Sequence, residues 1–245
     1  MAVNCWAYYP KQGKINEKPE PLDVHLIEVA EEVSRHPDHG RIVKKISRLY
    51  GIDDALVKDA MLLMGILHDL GKAYIKYQER LDDESFSGHE FYSAFIIHGI
   101  FESDIFMKRT DYDKDKYDKV KVMETLIIYP IMLHHYAQRN DVETAYEKVW
   151  RYVLMMREPT LKIWDGCRSH IVRVLEYGKS KVITDLGREL INKLLSNVGD
   201  LAFNIALLGD EPFKPLRSIV MQDYWLSIAA LTGLLNEADG KVARR

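Results

Sequence analysis

The sequence predicts a single all-α domain. Apolar residues recur at spacings of three and four along almost the whole chain. No long run alternates apolar and polar residues, and no Asn-Gly or Asp-Gly turn sits between strand-like segments. No internal repeat, low-complexity tract or Pro/Gly/Ser-rich linker divides the chain, so residues 1–245 read as one domain.

The elements follow in order. The short stretch Cys5–Pro10 suits an extended segment. A first helix starts near Pro21, a residue fitted to a first helical position, and Leu22, Leu26, Val29 and Val33 form its apolar stripe. It ends before Pro37. Asp53 or Asp54 caps a second helix with Val57, Met61, Met64 and Gly65 on one face. Ser87 to Glu90 has capping-box spacing and starts a third helix that runs to about Glu102. Residues 108–119 are polar and form an exposed connection. A helix from about Tyr117 to Gln138 is kinked or restarted at Pro130. Asp141 caps the next, which carries Val149, Trp150 and Val153 and stops before Pro159. Two more fall near 165–177 and 181–197, and the last runs from about Leu216 to Ala238.

Composition excludes several classes. A net charge of −3 argues against binding nucleic acid by bulk charge, so any polyanion track is local. The two cysteines, Cys5 and Cys167, make no disulfide framework and no CxxC pair, which points to a reduced, cytoplasmic setting. The N-terminus has no apolar signal core, and the longest apolar run, near Leu126–Leu133, is far too short to span a bilayer. No membrane association is expected.

The histidines carry the chemical signal. His68 continues the stripe Val57, Met61, Met64 and so points inward. His25 lies between Leu22 and Val29 on the inner side of the first helix, and His89 stands in the first turn of its helix. His134 extends the stripe Ile127, Ile131, with His135 beside it. Asp239 extends Ile228, Leu231, Leu235 at the end of the last helix. One inward histidine is most often a satisfied core residue. Several converging in one core would each need a buried partner, at a cost of about 1–3 kcal/mol apiece if unmet. A shared cation removes that cost, because imidazole nitrogen and carboxylate oxygen both ligate divalent metals. His36 and His39 flank Pro37 in a loop, and they, His98 and His170 are assigned no role.

The order His25, His68-Asp69 in HDLGK, His89 in GHE, His134-His135 and Asp239, all on helices, resembles the HD superfamily of metal-dependent phosphohydrolases. It is most similar to the HD nuclease of type I CRISPR interference, here as a stand-alone subunit, over about residues 20–240. The resemblance implies a single HD-type helical domain with a dinuclear metal site in its core. One metal would take His25, His68, Asp69 and Asp239; the other Asp69, His89, His134 and His135. It implies two divalent cations, Mn or Mg first, with Ni, Co, Fe or Zn as alternatives suited to imidazole-rich sites. Asp69, with one oxygen for each cation, and Lys72, reaching a phosphate oxygen, are the catalytic candidates. Lys108 and Arg109, in a loop that also holds Lys114, Lys116, Lys119, Tyr112 and Tyr117, are candidate substrate contacts. Substrates and partners implied are single-stranded DNA first and RNA second, a separate CRISPR helicase and the surveillance complex. No GxxxxGK[ST] phosphate loop occurs in the chain, so the ATPase is expected on another polypeptide or outside this stretch of sequence. Two other readings stand beside it: an HD phosphohydrolase of a small nucleotide or cyclic nucleotide, and a non-enzymatic helical scaffold.

Overall fold

The computed structural model describes residues 5–10, 18–81, 86–102, 114–135, 147–149, 151, 153, 160–205 and 219–243. Its helices are α1 (Leu22–Arg35), α2 (His39–Tyr50), α3 (Asp54–Leu67), a short α4 (Ile75–Gln78), α5 (His89–Ile100), α6 (Lys114–Leu133), α7 (Arg168–Lys181), α8 (Asp185–Val198) and α9 (Ile219–Val242). The only strands among the described residues form two antiparallel pairs. β1 (Trp6–Tyr8) joins β2 (Glu20–Pro21), and β3 (Thr160–Lys162) joins β4 (Ala202–Asn204).

The predicted all-helical class holds, with these short strands added at the edges. α3 is the central element. All but three of its 14 residues are buried, and it packs against α1, α6, α2 and α7. Gly65 makes the α1 contact possible: a Cβ there would lie 2.8 Å from the Ala30 Cα. Of the two candidate caps, Asp53 is the one that caps α3, accepting the Ala55 N–H at 2.8 Å. Along α1, Leu22, Leu26, Val29 and Val33 are all buried.

Several expectations are corrected. His39 is no loop residue but begins α2, a helix the sequence reading passed over. Ser87 forms no capping box. Gly88, in the left-handed conformation at φ 87°, is the residue before α5, and no side chain caps that helix. α6 starts at Lys114 and passes through Pro130 to Leu133. The proposed cap Asp141 and Trp150 lie outside the described residues, whereas Val149 and Val153 are in the core.

The largest correction concerns the cysteines. Cys5 and Cys167 are disulfide-bonded across 162 residues, both fully buried, so the reduced pair expected from the sequence is wrong. The bridge ties β1 to the start of α7. His170 reinforces it: Nε2 accepts the Cys5 N–H at 3.4 Å and Nδ1 lies 2.6 Å from Asp23. The partner of His170 is thus a carboxylate 147 residues away, which no local pattern reveals. Among the described residues no helix is long and apolar enough to cross a membrane.

Candidate metal centre

Five helix ends and one turn deliver seven side chains to one place. His25 sits one turn into α1. His68 follows the last residue of α3. The backbone then leaves helical geometry at Asp69 and closes a 3-10 turn over Leu70–Ala73. Gly71 is required there, because a Cβ would strike the His89 carbonyl oxygen and come within 2.9 Å of the Ser93 nitrogen. The close approach sets Asp69 against the first turn of α5, where His89 stands. His134 and His135 follow the end of α6, and Asp239 lies in the last turn of α9, on the face of Leu235 and Val242.

Asp69 divides the cluster in two. Its Oδ2 lies 3.2 Å from His25 Nε2 and 3.4 Å from His68 Nε2. Asp239 joins this side, its Oδ1 3.2 Å from His25 Nε2 and 3.9 Å from His68 Nε2. The other oxygen, Oδ1, lies 2.7 Å from His89 Nε2 and 3.6 Å from His134 Nε2. His135 Nε2 is 3.3 Å from His89 Nε2. Lys72 Nζ stands 2.6 Å from Asp69 Oδ2, so the lysine that the sequence places one turn on turns back to the carboxylate. Lys108 and Arg109 lie outside the described residues.

A common device fixes the ring orientations. His68, His89 and His134 each direct Nδ1 at the carbonyl three residues earlier, of Gly65, Phe86 and Ile131. Each Nδ1–H donates outward, which leaves Nε2 as the bare nitrogen facing Asp69. His25 uses a side chain instead, with Nδ1 3.2 Å from Glu20 Oε1 on β2. Glu20 escaped sequence reasoning, because it lies before the helix and outside its periodicity.

The electrostatics follow from burial against charge. Burial works to lower the His25 pKa, but Asp239, Asp69 and Glu20 together hold it well above the ordinary value. His134 is also raised, as Asp69 outweighs burial. For His68 burial wins and the pKa falls. His135 is pushed down to about 2 by burial and by His134 and His89. Burial would raise both carboxyls, yet His68, Lys72 and His89 hold Asp69 well below the usual range, and His25 and His68 do the same for Asp239.

The residues fit a divalent cation. His25 Nε2, His68 Nε2, His134 Nε2 and Asp69 Oδ1 are buried atoms with no hydrogen-bond partner. They meet one another only as the close nitrogen–oxygen contacts given above, and a cation between them would give each a partner. Asp69, His89, His134 and His135 bring one ligand atom each within 4.8 Å of one another, and so do His25, His68 and Asp69. A third grouping, His68, His134 and Asp239, spans the two halves.

Compared with models of known protein families, the chain matches the HD domain. An HD domain is found over residues 25–136. The matched span begins at His25 and takes in His68, Asp69, His89, His134 and His135, while Asp239 joins the centre from beyond it. HD domains form a superfamily of metal-dependent phosphohydrolases, and the histidine and aspartate clusters of this chain are of a kind that holds divalent metal. Neither a search of curated proteins nor one of solved structures returns a match.

Proposed function

We propose that the chain is a two-metal nuclease that hydrolyses phosphodiester bonds of single-stranded DNA, with RNA second. The observation that carries the reading is the division of Asp69: one oxygen faces His25 and His68, which Asp239 also meets, and the other faces His89 and His134. A carboxylate placed between two groups of bare imidazoles is suited to holding two cations side by side. His25, His68, Asp69 and Asp239 would hold one, and Asp69, His89, His134 and His135 the other. Cations held there would supply an activated water and neutralise charge on the phosphoryl group. Mn or Mg is the first choice for the pair.

The protein's own groups do the rest. The Nδ1–H bonds to Gly65, Phe86 and Ile131 keep three rings from rotating, and Glu20 does so for His25. Lys72, only partly buried beside Asp69, would meet a phosphate oxygen of the substrate. Arg41, Lys44, Lys45 and Arg48 line one recess on α2, which packs on α1 and α3, and would serve as a local polyanion track in a chain of net charge −3. Their spacing of three and four sets them along one side of that helix.

The CRISPR setting, with a separate helicase, the surveillance complex and a cytoplasmic location, is part of the proposal and rests on the order of the motifs alone. Complete burial of the Cys5–Cys167 bridge shields it from thiol attack in such a compartment. The depth of the centre supports a second reading. His68 and His134 have no exposed surface, which suits a small nucleotide that enters a pocket.

One assay separates the readings. A labelled oligonucleotide is offered as single strand, as blunt duplex, and as duplex with a cognate helicase and ATP. Cutting of the first and third but not the second is expected, because opening duplex costs about 1.4 kcal/mol per base-pair step and the sequence has no nucleotide-binding loop to drive it. Hydrolysis of free nucleotides with intact strands would favour the second reading.

A further inference from the structure

We propose that His98, Glu102 and Glu124 form a second, separate divalent-cation site that staples α5 to α6. One ligand atom from each lies within 4.8 Å of the other two. His98 and Glu102 are four residues apart, a spacing that puts both on one side of a helical stretch. Glu124 comes from the facing helix, with Oε1 2.6 Å from His98 Nδ1. The other Glu124 oxygen is already engaged, lying 3.2 Å from Lys121 Nζ. The carboxylate therefore has one oxygen held by a cation outside the cluster and one turned into it.

Charge and chemistry point the same way. Glu124 is buried, with Lys121 on one of its oxygens and the His98 ring on the other. Two carboxylates converge on one imidazole there, with Glu124 out of water, an arrangement that a divalent ion stabilises. One nitrogen and two oxygens, with Glu102 open to solvent for water to complete the shell, is a donor set for Zn2+ or Mn2+.

The site is distinct from the Asp69 centre. His89 meets His134 at one end of the α5–α6 pair, and His98 meets Glu124 further along it. Nine residues of helix separate His89 from His98, about 14 Å at the helical rise. The two helices thus run antiparallel, with the Asp69 centre at one end and this cluster at the other. A cation bound here fixes the register of the two helices that present His89 and His134.

The test is zinc stoichiometry of the full chain. Metal-stripped protein is dialysed to equilibrium against Zn2+ and its zinc per chain measured for the wild type and for Glu102→Ala. Glu102 is exposed, so the variant keeps its fold, which circular dichroism verifies. The expected result is one zinc fewer per chain and a smaller zinc-induced rise in Tm. Asp69→Asn, measured alongside, loses zinc at the main centre and keeps this equivalent, so failure of the nuclease reading and failure of this site give different patterns. Equal zinc content in Glu102→Ala and the wild type would overturn the proposal.

Discussion

Asp69→Ala is expected to strip the main centre of metal and lower turnover by on the order of 10³-fold or more. Asp69 touches both halves of the centre, through His25 and His68 on one side and His89 and His134 on the other, with Lys72 beside it. Removing it deletes a donor to both halves at once. His25→Ala deletes a donor to one half only and should leave metal in the other. Asp69→Asn has the same shape and controls for misfolding, since breaking a buried charge pair by truncation costs about 3–5 kcal/mol. Metal analysis and strand cleavage on the same preparations check both expectations. Unchanged metal content in both Asp69 variants would sink the assignment.

Gly71→Ala should be the most damaging small change outside the ligands. The added methyl meets backbone, not a movable side chain: the His89 carbonyl oxygen and, at 2.9 Å, the Ser93 nitrogen. Neither can move without shifting the first turns of α5. The Gly71 N–H also donates to Ser93 Oγ at 2.8 Å. A loss of about 3 kcal/mol is expected for such overpacking, seen as a fall in Tm of roughly 10 °C. Gly40→Ala is the control, because a Cβ there meets nothing within 4 Å. Thermal melting of the two variants side by side decides it. A Gly71→Ala protein as stable as Gly40→Ala would contradict the packing described here.

Local periodicity made part of this legible in the sequence. His68 extends the stripe Val57, Met61, Met64 and is buried with it, and Asp239 keeps step with Leu235 on α9. Helix faces are set by spacing, so inward residues can be read without knowing what lies opposite. What spacing cannot give is the partner across the core. Cys5 and Cys167 are 162 residues apart, Asp23 and His170 147, His98 and Glu124 26. His98 showed a usable signal in Glu102 four residues on, but its meaning depends on Glu124 from the next helix. Pro37 and two histidines suggest a loop, whereas the backbone turns at once into α2 at His39.

The most direct test of the central claim is anomalous scattering from crystals of the full chain loaded with Mn2+. The account predicts two manganese peaks at the main centre, one on each side of the Asp69 carboxylate. The first would be ringed by His25, His68 and Asp239, and the second by His89, His134 and His135. A single peak there, or none, would contradict it.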